Sequence, residues 1–227
     1  MTQGSEVPEG PVQGQTVEPQ GKRLISDWRF QLAVVILVAL IPRLIYLWQI
    51  KSWPFFAYPV LDSRTQWKWA SILLGGHWIG NREVLAKAPL YAYFLGMIQW
   101  AMREREAGLF AAHLLQLILG AATCGLTYLL GRKVFGAAVG FVAGLLLGLY
   151  SPAIYREGQL LDTALATFLA AGLALLLLRA FETPRSRQAW LATGLVLGLL
   201  GLTRPNLLLL GVPTVALMVI WEQKRLG

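Results

Sequence analysis

Long apolar runs separated by short polar or basic segments dominate the chain from residue 30 onward. A helix needs roughly 20 apolar residues to cross the hydrocarbon core of a bilayer, and the longest of these runs reach that length. The pattern predicts an all-α, polytopic membrane protein with about six transmembrane helices. The predicted spans are residues 30–50, 107–130, 137–150, 160–178, 190–203 and 207–221. The last two runs are short, and one kinked span in their place, which would make five, is the alternative count.

A long polar and aromatic segment, residues 51–106, lies between the first two runs, and six of the nine tryptophans lie in it or at its edges. Indole rings favour the level of the lipid headgroups, so this external loop is predicted to lie along the membrane surface. Residues 62–74 separate apolar from basic side chains with helical periodicity, which predicts an interfacial amphipathic helix. Residues 88–102 are uncharged but short, which favours a second surface helix or a re-entrant helix.

Composition excludes the soluble classes. Of 227 residues, 56% are hydrophobic and only 14% are charged, and the mean hydropathy is +0.55. The net charge of +8 would suit a nucleic-acid partner. However, the basic residues form short clusters between apolar runs, as in helical membrane proteins, so no nucleic-acid partner is expected. No glycine-rich phosphate loop is present, and neither histidine has a metal-ligand spacing.

The amino-terminal segment, residues 1–27, is predicted to be a disordered cytoplasmic tail. Residues 1–21 are rich in Gly, Pro, Gln and Glu and show no apolar periodicity. Lys22, Arg23 and Arg29 precede the first span and favour a cytoplasmic amino terminus. Residues 28–227 then form one membrane-embedded domain, and we expect it to reside in a bacterial cytoplasmic (inner) membrane.

Asp62 is the first candidate for chemistry, because a carboxylate at the head of a surface helix can accept a proton from a hydroxyl held at the membrane. The alternative is a helix N-cap. Arg43, near the end of the first span, either binds a lipid phosphate with its guanidinium fork or extends to the headgroups. Arg204 lies beside a proline between two apolar runs. This pattern indicates either a lined cavity or a plain interfacial turn.

A second polar group follows the third span, with Tyr155, Glu157 and Asp162. A short loop between spans needs polar residues in any case, and Asp162 is also placed to cap the next helix at its positive end. Lys87 is either a phosphate-binding point charge or a solvated loop lysine. His113 is interpreted as a hydrogen-bond partner between helices.

The order of several short motifs resembles the GT-C superfamily of membrane glycosyltransferases, specifically the bacterial family 39, dolichyl-phosphate-mannose-protein-mannosyltransferase-like group. The first motifs are Pro42-Arg43 at the end of a span and Asp62 at the head of an external loop. The motifs that follow are APLYAYFLG (88–96), YLLGRKVFG (128–136), YSPAIYREGQLLD (150–162) and GLTRPN (201–206).

This resemblance implies transfer of a sugar, with inversion, from a polyprenyl-phosphate-linked donor to a lipid or protein acceptor on the external face of the membrane. By position it implies that Asp62 is the base and that Glu157 is a second acid that assists the acceptor or a divalent ion. It also implies a substrate-binding set. That set comprises Arg43, Arg64, Lys87, Tyr91, Tyr155, Arg204 and Asn206.

Two departures from the family pattern matter. Ser63 follows Asp62 where relatives often carry a second acidic residue, so a site with a divalent metal and a site without one both stay open. The chain ends after about six predicted spans, which we interpret as a carboxy-terminal truncation relative to longer family members. The alternative function is a non-catalytic membrane subunit or lipid-carrier-binding protein of the same fold.

Overall fold

The computed structural model describes residues 27–76, 88–211 and 213, and every regular element within these ranges is a helix. We number the α-helices in chain order. They are α1 (Trp28–Ile50), α2 (Pro54–Ala57), α3 (Leu61–Leu74), α4 (Leu90–Met102), α5 (Arg105–Phe135), α6 (Ala137–Leu149), α7 (Ser151–Glu157), α8 (Thr163–Glu182) and α9 (Arg187–Thr203). A 3-10 helix, Pro205–Leu210, follows α9. The all-α prediction is confirmed for the described ranges.

Three of these helices, α1, α5 and α8, are long and apolar enough to cross a membrane. A fourth span is formed if α6 and α7, which meet at a bend of 58°, are counted as one broken helix. The described part of the chain therefore contains three or four spans, and the count of six stays a prediction. Most of the last apolar run, like nearly all of the predicted tail 1–27, lies outside the described residues.

Helix α6 packs closely along α5 and α1 because its glycines remove side-chain bulk from these contacts. Gly140, Gly144 and Gly148 recur at every fourth residue and are all buried. A Cβ on Gly140 would collide with the backbone of Tyr128 and Arg132 on α5. The close approach predicted from this small-residue ladder is confirmed.

The helix predicted over residues 62–74 is present as α3, and it packs against α4 in the segment 51–106. Trp69, Ala70 and Leu73 are its buried face, while Arg64 and Lys68 are exposed. The predicted apolar face shares Ala70 and Leu73 with this buried face, whereas its Trp67 and Leu74 are only partly buried. Its position on a membrane surface stays a prediction.

Candidate functional site

A cavity of about 390 Å³ opens where the carboxy-terminal end of α1 meets α2, the start of α3 and the link between α7 and α8. Its aromatic wall includes Trp53, Phe55 and Phe56, and its polar lining includes Asp62 and Tyr155. We call it the Asp62 cavity, because Asp62 is the one carboxylate among the described residues that line it. An aromatic wall beside a few polar groups is typical of small-molecule sites.

Asp62 lies in the first turn of α3, but it does not cap that helix. Val60 occupies the N-cap position, and no side chain caps the helix there. The capping alternative for Asp62 is therefore wrong. The preceding residue, Leu61, has a φ of 52°, which is uncommon for a residue with a Cβ and is found most often at functional sites. The exposed carboxylate lines the cavity, and it forms no cap bond at this helix end among the described residues.

Tyr46, His113 and Tyr155 also line this cavity. The His113 Nδ1 lies 2.8 Å from the carbonyl oxygen of Leu109, one turn earlier in the same helix, and the ring stacks on Phe56 at 4.5 Å. The hydrogen bond that the structure describes for His113 therefore lies within α5, and the interhelical bond stays a prediction. Since a carbonyl can only accept, Nδ1 carries the proton and Nε2 is an acceptor in the neutral ring.

Arg43 and Glu157 form a buried ion pair across 114 residues of sequence. The Arg43 Nε lies 2.7 Å from one carboxylate oxygen, and its Nη2 lies 2.9 Å from the other. Its Nη1 donates to the carbonyls of Ala39 and Gly148, at 2.8 and 3.0 Å. Arg43 is 0% exposed and does not line the Asp62 cavity, so its cationic group is fully engaged within the protein.

The ion pair between Arg43 and Glu157 also explains how α6 can end in the interior of the protein. The last carbonyls of a helix have no partner within that helix, and they form its negative end. Arg43 bonds one of these carbonyls, that of Gly148, and so neutralises this helix end. Glu157 fits against α5 because residue 120 is glycine, and a Cβ there would overlap the carboxylate.

A second buried network joins α4, α5 and the link after α7. The Tyr91 hydroxyl donates to Gln116 Oε1 at 3.1 Å. The Gln116 Nε2 donates to the carbonyls of Gln159 and Leu161, both at 3.0 Å. Tyr91 is 0% exposed, and burial, with a contribution from the charge of Asp162, raises its pKa well above the usual value. The phenol is therefore a neutral hydrogen-bond donor held inside the protein.

A third polar contact joins Asp162, at the start of α8, to Arg204, at the end of α9. Asp162 is the N-cap residue of α8, yet it forms no side-chain cap bond. Instead, its two oxygens accept from Arg204 at 2.9 and 3.0 Å, and Arg204 also donates to Thr163 at 3.1 Å. These bonds raise the pKa of Arg204, which therefore stays charged. Both charges complement the dipoles of the helix ends that they occupy.

The sequence model of the dolichyl-phosphate-mannose-protein mannosyltransferase family matches residues 86–226, which is more than half of the chain. The chain belongs to this family. No curated protein and no solved structure matches it. Family membership, together with the apolar helices, makes it a membrane glycosyltransferase of the GT-C type.

The family match includes five of the predicted site residues with described positions and begins after the other three. It covers Tyr91, Tyr155, Glu157, Arg204 and Asn206. Arg43, Asp62 and Arg64 precede it. Lys87 falls within the match but lies outside the described residues.

Within this mannosyltransferase-family chain, the predicted site residues separate into three groups. Asp62 and Tyr155 line the same cavity. Arg43, Tyr91 and Glu157 are buried in hydrogen-bond networks behind or beside it, and Arg204 is partly exposed in its pair with Asp162. Arg64 and Asn206 are exposed and do not line the cavity. Among the described lining residues there is no arginine or lysine, so the described lining includes none of the predicted phosphate-binding cations, of which Lys87 lies outside the described residues.

The site predicted from the sequence did not include Gln116 or the ion pair between Asp162 and Arg204. An amide within an otherwise apolar span was the available signal for Gln116, since polar groups in membrane helices usually have a specific partner. Across the ranges that the structure covers, no three His, Cys, Asp or Glu side chains lie close enough together to hold a metal ion.

Proposed function

We propose that this chain transfers a sugar from a polyprenyl-phosphate donor to an acceptor hydroxyl on the external face of the membrane, with Asp62 as the general base. The observation that carries the proposal is the lone described carboxylate in a cavity with an aromatic wall. Membership of a mannosyltransferase family supplies the reaction class. Mannose is therefore the first sugar to test, and a protein or a lipid is the acceptor.

The reaction balances with one carboxylate. The acceptor oxygen forms a bond to the anomeric carbon while the bond from that carbon to the phosphate oxygen breaks. The acceptor proton passes to Asp62, and the electron pair of the broken bond leaves with the polyprenyl phosphate. A single displacement of this kind inverts the anomeric centre. Tyr46, Tyr155 and His113 offer hydrogen-bonding atoms for the sugar within the same cavity.

The departing phosphate gains negative charge, and positive groups that meet it there would lower the barrier. The described contacts favour Arg204 for this role over Arg43. The Arg204 side chain is 41% exposed, whereas Arg43 is 0% exposed with its bonds directed into the protein. We therefore propose Arg204, with Arg64 and Lys87 from the external loop, as the cations on the phosphate side.

Asp62→Asn tests the base, and Glu106→Gln is its matched control. Glu106 is an exposed carboxylate in the first turn of α5 and lies outside the Asp62 cavity. Membranes that contain each variant would be supplied with radiolabelled polyprenyl-phosphate mannose. Label that moves into protein or into a second lipid is then counted.

We expect Asp62→Asn to lower transfer by about 10²-fold or more, the usual size of a general-base contribution, while donor-lipid retention is kept. The control should transfer like the wild type. Equal transfer by Asp62→Asn and Glu106→Gln would remove the base role. Donor retention without any transfer by the wild type would favour the non-catalytic, lipid-carrier-binding alternative.

A further inference from the structure

One wall of the Asp62 cavity is non-helical backbone. Helix α7 ends at Glu157 and α8 begins at Thr163, and residues 158–161 between them all line the cavity. We call residues 158–161 the wall segment. Backbone groups outside a helix need partners when they are buried, above all in a membrane protein, where unpaired carbonyls are costly.

Gln116 supplies side-chain partners, beside a backbone bond of 2.7 Å from the Leu161 N–H to the Gln159 carbonyl. Its amide nitrogen donates to two carbonyls of the wall segment, those of Gln159 and Leu161, each at 3.0 Å. Its amide oxygen accepts from Tyr91 at 3.1 Å. Gln116 is itself 0% exposed. Both N–H groups of the amide are therefore used on the wall segment, and its oxygen is fixed by a buried phenol.

Only an amide side chain of this length can form these three hydrogen bonds. A leucine or methionine fills similar volume but donates nothing, and an ionised glutamate has acceptors only. Two ion pairs hold the residues that flank the wall segment, Glu157 through Arg43 and Asp162 through Arg204. Within the part of the chain that the structure describes, Gln116 is the side chain seen to bond the wall backbone.

We propose that Gln116 is a positioning residue for sugar transfer, which sets the distance between the wall segment and Asp62 without touching substrate. This inference rests on the proposed function, since it assigns the wall segment to the substrate cavity. Loss of the amide would leave the Leu161 carbonyl without its described partner and the Gln159 carbonyl with only the bond from the Leu161 N–H at 2.7 Å, and the wall would then shift or admit water. A misplacement of about 1 Å at a reacting group can cost about 10²-fold in rate.

The experiment uses the full chain in lipid nanodiscs with a nitroxide label on the wall. Gln159→Cys, in a Cys124→Ala background, carries the label, because the Gln159 contact to Gln116 is made by its backbone carbonyl. Label mobility is measured on the labelled chain and mannosyl transfer on the unlabelled chain, each with and without Gln116→Leu, because residue 159 lines the cavity. Thr123→Val is the matched control on the same helix, since the Thr123 hydroxyl bonds only within α5, to Leu119.

We expect Gln116→Leu to mobilise the label at residue 159 and to lower transfer by about 10²-fold, with Thr123→Val changing neither. A label at Ser151, an exposed residue of α7, should keep its mobility in both variants. Tyr91→Phe should leave the wall label immobile, since both bonds from Gln116 to the wall remain. An immobile wall label in Gln116→Leu would overturn the proposal.

Two further outcomes separate this inference from the proposed function. A mobile wall with unchanged transfer would overturn the positioning role and leave the proposed function intact. If the wild-type chain transfers no sugar, the proposed function fails, and label mobility alone decides whether Gln116 holds the wall segment.

Discussion

Removal of one member of the buried Arg43–Glu157 pair should strongly destabilise the protein. In Glu157→Ala, the guanidinium of Arg43 loses bonds of 2.7 and 2.9 Å and stays charged at a site that is 0% exposed. The Glu157 side chain is 10% exposed, so water barely screens the pair. Breaking such a pair on one side costs about 3–5 kcal/mol of unfolding free energy.

The double variant Arg43→Met/Glu157→Met separates charge from packing. With both charges gone, no buried ion is left unpaired, and such replacements are often close to neutral. Arg43 also bonds the carbonyls of Ala39 and Gly148, and these bonds would be lost. An unpaired buried acceptor costs about 1–3 kcal/mol. We therefore expect the double variant to be more stable than Glu157→Ala and less stable than the wild type.

Cys124 provides the assay, because it is the single cysteine of the chain and is 0% exposed. A dye that fluoresces on reaction with a thiol then reports unfolding as detergent-solubilised protein is heated. By the scaling for chains of this size, about 2–4 °C per kcal/mol, Glu157→Ala should lower the melting temperature by about 6–20 °C.

Glu182→Ala is the matched control. It breaks a similarly short ion pair, to Lys133 at 2.6 Å, in which the side chains are 34% and 58% exposed. Exposed pairs contribute about 1 kcal/mol or less, so the control should shift by only a few degrees. Equal shifts in Glu157→Ala and Glu182→Ala would refute the reasoning. Loss of transfer at full stability in Glu157→Gln would instead support the catalytic role that the family resemblance assigns to Glu157.

Three further predictions use the thermal-unfolding assay and the mannosyl-transfer assay. Gly120→Ala should destabilise by about 1–3 kcal/mol, because its Cβ would overlap the Glu157 carboxylate, and a lower melting temperature would show it. Gly172→Ala meets nothing within 4 Å and should raise the melting temperature, as alanine favours a helix by about 0.5–1 kcal/mol. Arg204→Lys keeps the charge but loses the fork to Asp162. It should cost about 1 kcal/mol of stability or less, since the pair is partly exposed, and lower transfer about tenfold; unchanged transfer would count against a phosphate-side role for Arg204.

Local features were the most predictable part of the molecule. The helix predicted over residues 62–74 agrees closely with α3, and the break at Arg204 lies where the sequence places it. The apolar run 190–203, predicted to be a membrane span, is helical as part of α9, but α9 is not among the described helices long enough to cross a membrane. The glycine ladder of α6 predicted a close helix contact, and the contact exists. These features depend on side-chain period, length and bulk, all of which can be read from neighbouring residues.

Partners of charged groups were the least predictable part. Helix capping is one of the interpretations that the sequence offers for Asp162, yet its oxygens bond Arg204, 42 residues away. Neither residue type nor spacing contained that information, because the choice between a cap, a solvent contact and an ion pair depends on which helix end packs nearby. Arg43 illustrates the same limit, since a phosphate-binding arginine and a buried structural one look alike in sequence.

The sequence by itself determined that the chain is helical and enters a membrane, because runs of apolar side chains cannot remain in water and a bilayer requires the backbone to bond within each segment. It also determined the family, because the family model matches the sequence itself over residues 86–226. Tertiary structure alone decided which polar groups face a cavity and which bond one another. Hydrogen bonds and ion pairs act over about 3 Å, and only the packing of helices brings residues as distant as Arg43 and Glu157 within that reach.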